Sequence, residues 1–192
     1  MVGKSQSKSK TKKSAKKTIS TKRTVTVKQK ISAWGNFWRF MLCIAVPLVV
    51  GGLSAFLTQG NMSKFGEFNQ PPLSPPAWLF PVAWTALYAL MGIASFLIWR
   101  SGVMTKSKKS WANGALFLYG LQLVFNFCWS PIFFNLEWFW FAFGWLVVMW
   151  LLIIVLIGNT KKLSCAAFWL LMPYVLWTTF AAYLNCAIAL LN

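Results

Sequence analysis

Residues 138–158 read WFWFAFGWLVVMWLLIIVLIG, a run without one charged side chain. A helix needs about 20 apolar residues to cross the hydrocarbon core of a bilayer, and this stretch reaches that length with no polar stripe. It therefore reads as a membrane span. Outward from it, four more stretches qualify: residues 37–58, 77–99, 112–134 and 164–190. The breaks carry turn or charge signals: Gln59-Gly60-Asn61 and Pro71-Pro72-Leu73-Ser74-Pro75-Pro76, then residues 100–109, then Gly158-Asn159-Thr160-Lys161-Lys162. The join at Phe134-Asn135-Leu136-Glu137 is the weakest break, with room for a re-entrant piece. The expected fold is an all-α integral membrane protein, a bundle of five transmembrane helices over residues 34–192, preceded by a disordered basic tail over residues 1–33.

Composition agrees and narrows the chemistry. The chain has 192 residues, 58% hydrophobic and only 11% charged, against about a quarter charged in soluble domains. Its two acids are Glu67 and Glu137, and histidine is absent. That excludes a histidine-based acid–base pair, a His₃ zinc site and a catalytic triad. Cys43, Cys128, Cys165 and Cys186 show no CxxC spacing and read as reduced packing residues. No catalytic or metal-ligating set is expected, so any chemistry runs through aromatics, amides and hydroxyls.

The net charge of +17 is uneven, since residues 1–30 hold eleven of the nineteen cations. Such a segment buries too little apolar surface to offset its ordering entropy. It reads as a solvated extension, or as one drawn to anionic lipid through residues 4–30. Nucleic-acid binding is not expected, because no aromatic is interleaved with the lysines. Five spans put eighteen cations on one side and Lys64, with both glutamates, on the other. The positive-inside rule then places the N-terminus in the cytoplasm, in a membrane the sequence does not identify.

Polar side chains at membrane depth are costly and point to sites. Tyr119, Gln122, Asn126 and Trp129 or Ser130 share one face of span three; Trp84, Tyr88, Met91 and Ser95 share one of span two. On span five the stripe is Tyr174, Trp177 or Thr178, Ala181 and Asn185. These faces either line one pocket or hold helices together through Gln122 and Asn126. Small residues, among them Gly51, Gly52, Ser54, Gly92, Ala94 and Gly144, allow close helix approach. Pro47 and Pro173 interrupt the hydrogen bonding of spans one and five. Trp34, Trp38, Trp99, Trp111, Trp138 and Trp140 fall near span ends, as an interfacial belt does. Trp84 and Trp177 lie deeper, either as core packing or as flat surfaces for another ring.

Pro71-Pro72-Leu73-Ser74-Pro75-Pro76-Ala77-Trp78-Leu79-Phe80-Pro81-Val82-Ala83-Trp84-Thr85-Ala86-Leu87-Tyr88, followed by Met91-Gly92, resembles the signature of the tryptophan-rich sensory protein family (TspO/MBR), also called translocator proteins or peripheral-type benzodiazepine receptors. Gln122 to Asn126 with Trp129-Ser130-Pro131-Ile132-Phe133-Phe134 resembles its third-helix motif. Pro173-Tyr174-Val175-Leu176-Trp177, Phe180-Ala181 and Leu184-Asn185 resemble its fifth. The resemblance covers residues 38–192 and implies a five-helix bundle, a homodimer, and a pocket opening toward the first loop. It implies binding of porphyrins (protoporphyrin IX or heme) for tetrapyrrole sensing, scavenging or transport, with no cofactor required. By motif position Trp84 and Trp177 are the pocket tryptophans and Asn126 its amide, with Gln122 one turn before. Pro75, Pro76 and Trp78 match the lid loop, and Ala181 a small position on the fifth helix. Phe80 and Tyr88 complete the expected ligand-binding set.

Two alternatives stand beside this reading, the first implied by the resemblance and the second read from the basic tail, which lies outside the match. One is light-dependent porphyrin degradation with Trp84 or Trp177 as redox partner; the other is a regulatory membrane scaffold acting through the basic tail. Three departures stand out. Leu73 replaces a usual aromatic, and Ala142-Phe143-Gly144-Trp145 lacks the acid common early in the fourth helix. Tyr183 is followed by no basic residue, which argues against the family's sterol motif.

Overall fold

The computed structural model describes residues 34–192. The expected disordered tail lies outside the described residues. Five helices are long and apolar enough to cross a membrane. They are α1 (Trp34–Thr58), α2 (Leu79–Met104), α3 (Lys109–Ser130), α4 (Phe139–Leu163) and α5 (Cys165–Leu191). No strand occurs among the described residues. Residues 34–39 belong to a separate contact unit, in which the rings of Trp34, Phe37 and Trp38 pack on one another. The bundle is Phe40–Asn192.

Three boundaries differ from the sequence reading. Helix α2 runs on to Met104, so its connection to α3 is only residues 105–108, with a 3₁₀ turn at Lys106–Lys108. Helix α4 continues through Gly158-Asn159-Thr160-Lys161-Lys162 to Leu163. Lysines in a last turn complement the exposed carbonyls and the helix dipole, so this charged stretch extends the helix. The α3–α4 join holds no re-entrant piece: a π-turn at Pro131–Asn135 widens the end of α3, and residues 136–138 lead into α4.

Apolar attraction does not assemble helices within lipid, so contact relies on small residues and polar pairs. Gly92 shows the first. A Cβ built there would lie 2.6 Å from Ile44 Cα and 2.8 Å from Cys43 O, so α2 touches the backbone of α1. Nearby, Gly51 faces the Tyr88 ring so closely that a Cβ would fall 2.0 Å from it. Even so, α1 is the peripheral helix, with 11% of its apolar segment buried against 33–44% in the other four.

The first loop closes one end of the bundle. Its 3₁₀ turn, Met62–Gly66, delivers Phe65 onto Phe80, ring centroids 5.0 Å apart, and Phe68 packs on Phe139 at 5.1 Å. The loop is tied at both sides. Lys64 Nζ lies 2.9 Å from Glu137 Oε1, and Tyr183 Oη donates to Pro72 O at 2.7 Å. Asn69 exchanges hydrogen bonds with Leu191 and Asn192 at the end of α5. Leu73, 81% exposed, takes φ 69° in a turn closed by Ser74 N–H to Pro71 O. Pro72 followed by positive φ is the type II pattern, which favours glycine at the Leu73 position.

Replacing Gly92 with valine should force α1 away from α2, because the obstacle is backbone. The expected cost is about 1–3 kcal/mol, read as a lower melting midpoint in detergent and faster maleimide labelling of half-buried Cys43. Unchanged midpoint and labelling would contradict the contact.

Candidate functional site

The polar faces of α2, α3 and α5 meet at the centre of the bundle and bond to one another, leaving Gln122 Nε2 without a partner among the described residues. Tyr88 Oη donates to Asn126 Oδ1 at 2.5 Å, Asn126 Nδ2 to Tyr174 Oη at 3.2 Å, and Tyr174 Oη to Gln122 Oε1 at 2.6 Å. A second chain starts one turn on. Trp129 Nε1 donates to Asn185 Oδ1 at 3.1 Å, and Asn185 Nδ2 to Phe139 O at 2.9 Å. All these side chains except Phe139 are buried. Gln122 and Asn126 thus act between helices; neither lines the cavity described next.

That cavity, of about 140 Å³, sits between α1, α2 and the end of α3. Helix α1 contributes Gly51, Ser54, Ala55 and Thr58; α2 contributes Phe80, Pro81, Trp84 and Tyr88. Trp129, Ser130 and Phe134 close it from α3 and the π-turn. The two α1 hydroxyls point to backbone carbonyls: Ser54 Oγ donates to Phe127 O at 3.2 Å, and Thr58 Oγ1 to Ser54 O at 3.0 Å. The lining has no charged side chain. Phe65 of the loop is not part of this lining: it packs on two of the lining rings, 5.0 Å from Phe80 and 6.4 Å from Phe134, and borders a separate small void.

The expectation of one slot gripped by both deep indoles is not what the helices form. Trp84 lines the cavity, stacked on Tyr88 at 5.5 Å and edge-on to Tyr174 at 6.3 Å. Trp177 instead borders an outer groove between α2 and α5, with Ala83, Leu90 and Pro173. The buried line of α5 is Tyr174, Thr178, Ala181 and Asn185, because small Thr178 lets α5 approach where an indole would not. Trp177 reaches the cavity only through Phe80, whose ring it meets edge-on at 6.1 Å. Its buried Nε1 has no partner among the described residues. Ala181 borders a separate void of about 20 Å³, room for one water. Pro75, Pro76 and Trp78 lie on the approach to α2, Trp78 exposed, and none lines the cavity.

Of the expected set, Phe80, Trp84 and Tyr88 therefore come together. The sequence reading missed the α1 wall as a unit. Gly51, Ser54, Ala55 and Thr58 fall at i, i+3, i+4 and i+7, a stripe of small residues on one helical face. It also missed Phe134 as a closing ring, whereas Trp129 and Ser130, read as alternatives on the polar face of span three, both line the cavity. No cluster of three metal-ligating side chains occurs among the described residues. The arrangement can hold an apolar, flat-faced guest, and it offers no side chain that titrates near neutral pH.

Comparison with known proteins follows this geometry. Residues 43–191 match the model of the TspO/MBR family. The chain is 34% identical to the "Tryptophan-rich protein TspO" of Chlorobaculum tepidum, covering 79% of this chain and 94% of that one. It is 32% identical to the "Tryptophan-rich sensory protein" of Cereibacter sphaeroides, with 83% and 92% covered. To the "Translocator protein" of Bos taurus it is 34% identical, with 73% and 82% covered.

Asn126→Leu strips partners from two buried hydroxyls and should cost about 2 kcal/mol in detergent unfolding. Lys64→Gln, which breaks an ion pair whose side chains are 43% and 41% exposed, should stay within about 0.5 kcal/mol. The reverse order of effects would refute the assignment of the amides as the bundle's internal tie.

Proposed function

The chain belongs to the TspO/MBR family, and on that premise we propose that it is a multi-pass membrane protein that binds tetrapyrroles such as protoporphyrin IX or heme, for sensing, scavenging or transport. The observation that carries this reading is the uncharged cavity walled by Phe80, Trp84, Trp129 and Phe134 beneath the first loop. A macrocycle offers two broad apolar faces, which aromatic walls take up by stacking and edge contacts. Its propionates would lie toward the loop, where water and polar backbone are reached. With no histidine in the chain, ring contacts dominate over axial ligation, and free-base porphyrin binds at least as readily as heme.

Size sets a condition on this reading. Pockets for ligands of drug size run to about 300–1,000 Å³, whereas this cavity holds about 140 Å³. Binding therefore requires the walls to part. The element with least to lose is α1, the least buried helix, together with the loop that follows it. Phe65 packs on the lining ring Phe80 and has to shift with it, and the exposed Lys64–Glu137 pair is one of the weaker ties on its loop. Trp84 then presents its face directly, while Trp177 supports Phe80 from behind.

Tryptophan quenching during titration with protoporphyrin IX tests this. Saturable quenching is expected, weakened about tenfold by Trp84→Ala and no more than about threefold by Trp177→Ala. Unchanged affinity in a Trp84→Ala, Phe80→Ala double variant would sink the reading.

A further inference from the structure

A second recess, of about 260 Å³, opens between α2 and α3 at the end of the bundle where the charges of residues 100–109 gather. Its walls include Trp99, Gly102, Val103 and Leu116, and it is also lined by Lys106 and Lys109. The lysines at this end are not equivalent. Lys108 Nζ donates to Leu163 O at 3.2 Å, which caps the end of α4. Lys162 Nζ sits 4.5 Å from the centre of the Trp111 ring, and Lys161 Nζ 5.8 Å from that of Phe168. The ammonium groups of Lys106 and Lys109 make no hydrogen bond or ion pair among the described residues, although the Lys109 backbone N–H donates to Lys106 O. The chain's two acids are remote, Glu67 in the first loop and Glu137 in the α3–α4 join.

The recess joins two chemistries in one place. Two unpaired ammonium groups favour an anion, while Val103 and Leu116 favour hydrocarbon. Its floor is set by Gly102, where α2 comes so close to α3 that a Cβ would lie 2.5 Å from Ala112 Cβ. Charges resume at Arg100 after an uncharged run along α2, so the recess straddles the boundary between acyl chains and headgroups. Val103, which lines the recess, is exposed, as bilayer-facing side chains are. A free phosphate would use the lysines and leave the apolar wall unused. Basic recesses between transmembrane helices suit anionic lipid headgroups.

We propose that this recess binds an anionic phospholipid, its phosphate held between Lys106 and Lys109 and an acyl chain lying along Val103 and Leu116. The site is separate from the aromatic cavity and does not depend on the tetrapyrrole reading.

Native mass spectrometry of the full chain in neutral detergent, with phosphatidylglycerol or phosphatidylcholine added, tests it. Residues 1–30 stay in every variant, so their own attraction for anionic lipid cancels from the comparison. K106Q/K109Q should lower the preference for phosphatidylglycerol by roughly tenfold. K161Q/K162Q removes the same charge at the other lysine pair and should leave the preference within about twofold. Inorganic phosphate at matching concentration should neither bind detectably nor displace the lipid. Equal losses in the two double variants, no loss in K106Q/K109Q, or displacement by phosphate would each overturn the proposal.

Discussion

In hydrocarbon an amide or hydroxyl without a partner costs more than it does in water, and the bundle is organised around that penalty. Tyr88, Asn126, Tyr174 and the Gln122 carbonyl discharge much of it jointly, one residue from α2, two from α3 and one from α5, while Gln122 Nε2 stays without a partner among the described residues. Satisfying these groups fixes the rotation of three helices about their axes at once. The Trp129–Asn185–Phe139 chain extends the same logic to the start of α4. Where those contacts end, α1 is left with glycine-mediated packing and few polar ties, and the cavity forms between it and the locked core.

This division explains why the aromatic cavity lies where it does. The inner wall carries Trp84 stacked on Tyr88, whose hydroxyl donates to Asn126. The outer wall is a stripe of small residues on α1, which leaves volume without supplying grip. The end wall is built from Trp129 of α3 and Phe134 of the π-turn. Rigid on one side and lightly held on the other, the cavity can widen without disturbing the hydrogen-bonded centre.

The count of five spans was legible because each exceeds the length a bilayer demands. The buried stripes of α2 and α3 were legible because helical periodicity fixes which residues share a face. Which partner each polar group takes was not, since Tyr88 and Tyr174 are far from Asn126 in sequence. Periodicity left Trp177 and Thr178 as equals on α5; packing chose Thr178 for the interior, because the narrower side chain allows closer approach. Lys161 and Lys162 read as a break, yet a charged pair at a helix end can extend its stems along the apolar surface and still reach water. The loop rings Phe65 and Phe68 sit in a polar stretch without periodicity, so nothing local distinguished them from ordinary loop residues.

The passage from α4 to α5 has its own consequence. Ser164 alone separates the two helices: its N–H donates to Thr160 O, and its Oγ accepts from Ala167 N. With no slack between them, the pair forms a helical hairpin that can leave the translocon as one body. Lys161 and Lys162 lie in the last turn before Ser164, so the hairpin carries charge at its bend and apolar side chains along its arms, and the bend resists being drawn into hydrocarbon.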